Sequence, residues 1–236
     1  MSQTMNRLDR ARAAADTVDG WLTTAEGELL FGLAASCPPG GTIVEIGSWK
    51  GKSTTWLAEG AGLSSGTRIF AIDPHEPYLA DPQADSLRDF RANLERLGLT
   101  AVVTPIVARS EAAALSFDQP IDLLFIDGDH EAGPVAVDLT LWLPKVRAGG
   151  WAALHDVRNR QWPGVSRGLS RLLWTSRTVA DVRFADSIAA MKAVARNTLR
   201  DRLRNRWLAV CLRAYGAVPT LPRPLAVLAR KLVFRP

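Results

Sequence analysis

Apolar and polar positions alternate along this chain with two different periods. Short, largely apolar runs that suit buried β-strands occur at residues 42–46, 68–72, 101–107, 121–126 and 151–154. Apolar residues at helical spacing occupy residues 22–36, 52–61, 85–97 and 135–143, and a further helix begins at Ser110. Strands that alternate with helices, without an internal repeat, predict a mostly parallel sheet covered on both faces. Right-handed crossovers then give a doubly wound α/β fold.

Residues whose side chains could bind a ligand or take part in catalysis cluster at the carboxyl ends of these predicted strands, where ligands bind in such folds. They are Glu45 and Gly47, Asp73 and His75, Arg109, Ser110 and Glu111, Asp127, Asp129 and His130, and His155 and Asp156. All three histidines of the sequence belong to this set. A single one could be a helix cap or a surface side chain. Five strands that deliver such residues to one edge of the sheet predict a binding site there.

The segment GSWKGKS, residues 47–53, ends like a phosphate-binding loop. Only three residues separate Gly47 from Gly51, however, and a nucleotide triphosphate loop needs four. The dinucleotide pattern G-x-G-x-x-G is absent as well. Asp73 lies where it can accept both hydroxyls of a ribose. A ribose-bearing cofactor without phosphates is therefore favoured. S-adenosylmethionine fits, with its carboxylate facing the helix start near Ser53.

Three motifs carry a resemblance to class I S-adenosylmethionine-dependent methyltransferases. They are EIGSWKGKS at 45–53, AID at 71–73 and ARSE at 108–111. The glycine spacing of the first motif resembles that of the catechol O-methyltransferase type. The resemblance implies a Rossmann-like methyltransferase fold. It assigns the methionine portion to Glu45 and Ser53 beside the Gly47 turn, the ribose to Asp73, and the adenine edge to Ser110.

The second half of the chain is similar to metal-dependent sugar O-methyltransferases of natural-product and polysaccharide pathways. The motifs are FIDGDH at 125–130 and ALHD at 153–156. By resemblance, Asp127 and Asp156 hold a magnesium ion, and Asp127 also affects cofactor binding. His130 takes the hydroxyl proton, with Asp129 as its rival. His155 stands where relatives commonly have a second carboxylate or amide, so it is a candidate ligand that would favour manganese or a later transition metal.

The expected activity is therefore metal-assisted methyl transfer to a hydroxyl of a sugar, an oligosaccharide or a glycosylated metabolite. A small phenolic acceptor is the nearest alternative, and His130 favours sugars. A non-catalytic scaffold that binds a membrane or a partner through its tail is a third possibility. Trp49 and Tyr78 are candidates to stack on a sugar. Tyr78 belongs to a loop, residues 74–87, that is placed to cover the cleft. Residues 158–165 could line the acceptor site, or they could be an exposed loop.

Charge is distributed unevenly along the 236 residues. From Arg196 onward there are ten basic residues and one acidic residue, a net +9, whereas residues 1–195 hold 19 basic and 23 acidic residues, a net −4. The predicted cleft lies in the acidic part, so a nucleic-acid substrate is disfavoured. Two distant cysteines, no secretion signal and no long apolar run predict a cytoplasmic protein.

Three segments follow from these patterns: a helical N-terminal cap at 1–40, the methyltransferase domain at 41–195 and a basic helical tail at 196–236. The tail is either an amphipathic helix on an anionic membrane surface, peripheral at the inner face, or a helix that docks on a partner subunit. Prolines at 219, 222 and 224 interrupt a long helix and favour docking, so a homo-oligomer, and specifically a dimer, is expected.

Overall fold

A computed structural model of the protein describes residues 6–63, 65–76 and 85–217. Its centre is a seven-stranded sheet in the order β3-β2-β1-β4-β5-β7-β6. The strands are β1 (Thr42–Ile46), β2 (Arg68–Ile72), β3 (Val103–Ile106), β4 (Ile121–Ile126), β5 (Val146–Leu154), β6 (Val179–Ala185) and β7 (Ile188–Ala193). Strands β1 to β5 are parallel, and β7 runs antiparallel to both β5 and β6. The mostly parallel sheet predicted from the sequence is confirmed.

Eight α-helices and one short 3-10 helix flank the sheet within the described part of the chain. They are α1 (Arg7–Ala15), α2 (Thr24–Ala35), α3 (Lys52–Ala61), α4 (Ser86–Arg96), α5 (Ser110–Ser116), α6 (Ala132–Trp142), the 3-10 turn Leu143–Lys145, α7 (Pro163–Thr175) and α8 (Leu199–Ala217). Helices α1 and α2 form the N-terminal helical cover, and α8 is the C-terminal helical extension. Within the described residues, none of the helices combines the length and the apolar character that a membrane span requires.

The central strands are apolar on both sides because helices cover both faces of the sheet. Every residue of β1 and β4 is buried. Val44 and Leu124 face a core that includes Trp142 of α6 and residues of α5, α7 and α8. Their neighbours Ile43 and Leu123 face the opposite core, which holds residues of α1, α2, α3 and α4. Alternation along a strand thus distributes its side chains between two cores.

Several element boundaries differ from the sequence prediction. Strand β5 begins at Val146 rather than at residue 151, since its pairing with β4 shifts register after Ile121 and accommodates two glycines that resemble a turn. Helix α6 begins at Ala132, three residues early, because a proline is tolerated in a first helical turn. Strand β3 is shorter than predicted. It can contain Pro105 because it lies at the sheet edge.

Candidate functional site

A cavity of about 630 Å³ opens at the carboxyl ends of β1, β2, β4 and β5. This is the edge where the sequence predicted a site. Its walls come from the segment before α2, the loop between β1 and α3, the ends of β2, β4 and β5, the loop before α7 and the turn between β6 and β7. The lining residues include Trp21, Glu26, Gly47, Ser48, Trp49, Ser53, Asp73, Asp127, His130, His155, Asp156, Asn159, Gln161, Trp162, Asp186 and Ser187. Both halves of the predicted site therefore meet in one space.

The turn after β1 requires glycine at position 47. Gly47 has a φ of 84°, and a Cβ atom there would lie 2.1 Å from the carbonyl oxygen of Asp127. Such a contact is impossible, so the β1 turn and the end of β4 can meet only at a residue without a side chain. The next residue, Ser48, is 2% exposed and lines the cavity. Its hydroxyl has no hydrogen-bond partner within the described part of the chain.

Asp73, at the end of β2, organises this loop through backbone hydrogen bonds. The N–H groups of Ser48 and Trp49 donate to its Oδ2 at 2.9 and 2.8 Å, and the N–H of His75 donates to its Oδ1 at 2.7 Å. A carboxylate has about four acceptor positions, so capacity remains for hydroxyls of a ligand. Asp73 lines the cavity, which is the place that the predicted ribose contact needs.

Glu45 lies behind the cavity wall and does not line the cavity. It is fully buried, and its Oε2 accepts a hydrogen bond from the Thr54 hydroxyl. Burial raises the pKa of Glu45 to about 8, which the hydroxyls of Ser53 and Thr54 only partly oppose. Its other oxygen, Oε1, has no partner among the described residues. Ser53, by contrast, lines the cavity as expected.

Ser110 also lies outside the cavity lining. Its hydroxyl donates to Oδ1 of Asp138 in α6. Burial raises the pKa of Asp138 to about 6, although this hydrogen bond opposes the shift. The sequence prediction did not include Asp138, because a lone acidic residue inside an apolar helix has no motif. The adenine contact assigned to Ser110 stays a prediction.

Asp127, His130 and Asp156 form a compact polar cluster on the other side of the cavity. One potential ligand atom from each lies within 4.8 Å of the others, so the three could hold a metal ion. Nε2 of His130 lies 3.0 Å from Oδ2 of Asp156, and the His130 ring stacks on Trp162. Asp156 has a φ of 57°, and its Oδ1 accepts a hydrogen bond from Asn159. This uncommon backbone conformation turns the Asp156 side chain towards the cluster.

His155, expected as a metal ligand, lies outside this group. Its Nδ1 is 2.8 Å from Oδ1 of Asp127, and its Nε2 is 3.4 Å from Oε2 of Glu26. Burial disfavours its charge, but the two carboxylates outweigh burial and raise the pKa of His155 to about 10. A protonated imidazole between two carboxylates offers no lone pair to a metal. His155 therefore braces Asp127 from behind, and its role as a metal ligand stays a prediction, whereas His130 belongs to the group.

Glu26 connects α2 to this cluster, and sequence reasoning missed it. It completes a capping box with Thr23, and its Oε1 accepts hydrogen bonds from the N–H and the hydroxyl of Ser187 at 2.9 and 2.6 Å. Burial opposes ionisation, yet the bonds from His155 and Ser187 lower the pKa of Glu26 to about 2. The pattern Thr23-x-x-Glu26 was a visible signal, but it indicated only the start of a helix.

The other residues predicted for the site differ in whether they line the cavity. The side chain of His75 is only 3% exposed and lies outside the cavity, with Nδ1 3.0 Å from the Ser86 hydroxyl. Asp129 accepts a hydrogen bond from the N–H of Glu131 and does not line the large cavity. Trp49 does line it and stacks on Trp21 with ring centroids 4.6 Å apart. Tyr78, with most of the proposed covering loop, lies outside the described residues.

The loop 158–162 supplies the remaining wall of the cavity. Asn159, Gln161 and Trp162 line it, as does Arg158, whose guanidinium lies over the Phe184 ring and donates to the carbonyl of Asp186. The interpretation of this loop as part of the ligand site, rather than as a free surface loop, fits its position.

The mostly parallel, doubly covered sheet and the cavity at its carboxyl edge define a Rossmann-like methyltransferase fold. Residues 44–157 match a family described as "Methyltransferase domain". This stretch of the chain is therefore similar to methyltransferase domains, in line with the resemblance of its motifs.

A viral protein and two solved structures resemble this chain at low sequence identity. "Uncharacterized protein R132" of Acanthamoeba polyphaga mimivirus is 26% identical over 136 residues, which cover 56% of this chain. This chain spans only 59% of that relative's length. The crystal structure of cofactor-bound Rv0187 from MTB has a TM-score of 0.60 at 23% identity, over 81% of this chain and 90% of that one. An O-methyltransferase from Bacillus cereus in complex with SAH has a TM-score of 0.57 at 22% identity, over 79% and 90%.

Proposed function

We propose that the protein transfers the methyl group of S-adenosylmethionine to a hydroxyl of a sugar, an oligosaccharide or a glycosylated metabolite. The observation that carries the proposal is the shared cavity. The glycine turn at Gly47 and the Asp73 carboxylate border the same space as Asp127, His130 and Asp156. A cofactor on the first side would thus face an acceptor on the second.

The cofactor side suits S-adenosylmethionine in size and chemistry. A cavity of about 630 Å³ lies within the range of small-molecule sites. Asp73 has acceptor capacity for ribose hydroxyls, and the unpartnered hydroxyl of Ser48 needs a ligand or water. Ser53, in the first turn of α3, lies where backbone N–H groups favour a carboxylate. Glu45 acts from behind Ser53 and Thr54, since it is buried beneath the wall.

The acceptor side combines aromatic faces with polar side chains. Trp49 and Trp162 line the cavity together with the amides of Asn159 and Gln161. Sugars present apolar C–H faces that pack on aromatic rings and hydroxyls that bond to amides and carboxylates. A phenolic ring would use the tryptophans but would leave more of the polar groups unpaired. This difference favours a carbohydrate acceptor.

The cluster of Asp127, His130 and Asp156 fits a divalent cation. The carboxylates of Asp127 and Asp156 would hold magnesium or manganese, and the imidazole of His130 beside them is left free to move a proton. A cation bound there would lower the pKa of a neighbouring sugar hydroxyl and fix its orientation.

His130 is the proposed general base. Its Nε2 faces Asp156 at 3.0 Å, and that carboxylate stabilises the imidazolium that forms when the hydroxyl proton arrives. S-adenosylmethionine bound on the other side would supply the methyl group, whose carbon would exchange its bond to sulfur for a bond to the acceptor oxygen, with S-adenosylhomocysteine as the leaving group. Asp127 is held in place by His155. Asp129 remains the rival base, although its side chain lies outside the large cavity.

Calorimetric titration with S-adenosylhomocysteine, with and without magnesium, tests the cofactor assignment first. A turnover assay with S-adenosylmethionine then compares sugar with catechol acceptors. Methylation of sugars, reduced by a chelator, supports the proposal. Methylation of catechols alone moves the acceptor to the phenolic class. Absence of S-adenosylhomocysteine binding under both conditions would leave a non-catalytic scaffold.

A further inference from the structure

Helix α8 presents an apolar stripe to the outside of the molecule. Leu199, Leu203, Trp207 and Val210 are each between 45 and 63% exposed. Their spacing of four, four and three residues places them on one side of the helix, over a length of about 16 Å. Scattered apolar residues on a surface are ordinary, whereas four in a row along one helix face indicate a partner.

The opposite face of α8 packs against the rest of the domain. Ala209 and Leu212 are buried in the same core as residues of α7. Ser170 of α7 donates to the carbonyl of Ala209, and Asn205 donates to the carbonyl of Val179. A capping box between Thr198 and Asp201 fixes the start of the helix. The helix is therefore anchored to the domain, and the outward direction of its stripe is set by this packing.

Arginines flank the stripe on both sides. At about 100° per residue, Arg200 and Arg204 follow one edge, whereas Arg206 and Arg213 follow the other. All four are exposed. Arg206 and Arg213 lie over the ring of Trp174 in α7, at 5.5 and 5.6 Å from its centroid. Since Trp174 is itself partly exposed, the apolar surface extends from α8 onto α7.

The charges around the stripe indicate which kind of partner it contacts. Residues 199–217 contain five arginines and a single acidic residue, Asp201, which caps its own helix. A second copy seated symmetrically on the stripe would bring four exposed arginines against four others, which is unfavourable. An anionic surface pairs with all of them, while the apolar stripe enters the acyl boundary and the long arginine side chains reach the headgroups. Residues 218–236 add four basic residues and no acidic one.

We propose that the stripe of α8, with its flanking arginines, binds an anionic lipid surface. The helix lies in the plane of the interface and holds the methyltransferase domain against the membrane. This inference does not depend on the identity of the methyl acceptor. It also differs from docking on another subunit, which the prolines of the tail favoured at the level of sequence.

Co-sedimentation of the full chain with vesicles tests the proposal. We expect binding to vesicles that contain phosphatidylglycerol, little binding to phosphatidylcholine alone, and weakening by added salt. Trp207→Glu should lower binding about tenfold or more. Leu115→Glu is the matched control, because Leu115 is an 84% exposed leucine on α5, and it should leave binding unchanged.

A second variant, Arg200→Gln with Arg204→Gln, removes charge and leaves the stripe intact. It should lower binding to anionic vesicles several-fold without changing the circular dichroism spectrum. Failure of the wild-type protein to bind anionic vesicles at low salt would overturn the proposal. So would equal binding by the wild type and the Trp207→Glu variant. Light scattering could instead find a wild-type dimer that dissociates in the Trp207→Glu variant. Together with an absence of lipid binding, this result would make the stripe an interface between copies.

Discussion

Trp162 stacks on His130, with ring centroids 4.9 Å apart and planes inclined at 23°. The imidazole is thus held between an aromatic face and the carboxylate of Asp156. A side chain restrained in two directions has a defined orientation for proton transfer. The loop before α7 therefore contributes directly to the proposed chemistry, although it carries no recognised motif.

Replacement of Trp162 should separate orientation from packing. Trp162→Phe keeps an aromatic face and should retain most activity. Trp162→Ala should lower kcat about two- to tenfold, since aromatic pairs contribute about 0.5–1.5 kcal/mol. Affinity for S-adenosylhomocysteine should stay unchanged, because the ring is on the acceptor side. Steady-state kinetics and calorimetry measure both quantities, and equal kcat for the two variants would contradict an orienting role.

His130→Ala should lower kcat by about 10²- to 10⁴-fold if His130 is the general base. Cofactor affinity should remain within about twofold, since no predicted cofactor contact is removed. Asp129→Asn is the matched control on the same loop and should keep most turnover. The opposite pattern, an active His130→Ala and an inactive Asp129→Asn, would transfer the base role to Asp129.

Glu26→Gln should destabilise the protein by about 3 kcal/mol, because it leaves the buried His155 charge with a partner on one side only. Thermal and urea unfolding would measure the loss. Glu28→Gln, two residues along the same helix, removes a half-exposed pair with Arg12 and should cost under about 1 kcal/mol. Equal unfolding midpoints for the two variants would show that the buried pair of Glu26 and His155 contributes no more to stability than the exposed pair of Glu28 and Arg12.

Glu45 should make stability decline as pH rises from about 4.5 to about 8. Its folded pKa of about 8 exceeds the ordinary value of 4.5, so the folded protein holds this proton more tightly than the unfolded chain. Stability therefore declines as pH rises between these two values, by at most about 1.4 kcal/mol per pH unit. Glu45→Gln should raise Tm more at about pH 8 than at about pH 5. An equal shift at both values would argue against a protonated Glu45.

Gly47→Ala should prevent proper formation of the cofactor loop, because the added methyl would collide with the carbonyl oxygen of Asp127. We expect a loss of roughly 3 kcal/mol or more and no measurable binding of S-adenosylhomocysteine. Gly32→Ala is the control, since nothing lies within 4 Å of its Cβ position in α2. It should stabilise the helix by about 0.5–1 kcal/mol. Normal cofactor binding by Gly47→Ala would contradict the steric constraint on this turn.

The sequence predicted the core of the fold well, for physical reasons. The bounds of β1, β2, β4 and α3 agree with the structure, because buried parallel strands are apolar runs that end at glycine or aspartate. Strands β6 and β7 were missed: β7 is rich in alanine, which does not favour strands, and β6 alternates with polar residues at the edge. Helix α7 begins with Pro163 and Gly164, which indicate a loop.

The candidate site likewise contains residues that the sequence could indicate and residues that it could not. The sequence placed Asp127, His130 and Asp156 at one edge because each follows a strand, and the structure brings the three together, while their roles stay predictions. Glu26 was missed because its contact with Ser187 spans 161 residues of sequence, and no local pattern encodes it. The two carboxylate partners of His155 could not be anticipated for the same reason, since only the folded chain brings Glu26 to its second nitrogen.

The turn between β6 and β7 meets the start of α2 through Glu26 and Ser187, and through the Thr23 hydroxyl on Asp186. These residues line the cavity, yet they lie outside the 44–157 stretch that matches the family. The proposed catalytic residues and part of the wall around them thus come from different parts of the chain. Substitutions at these two flanks would reshape the proposed acceptor side of the cavity and leave the motifs of the 44–157 stretch unchanged. A fragment trimmed to the matched stretch would keep the motifs and lose the chamber.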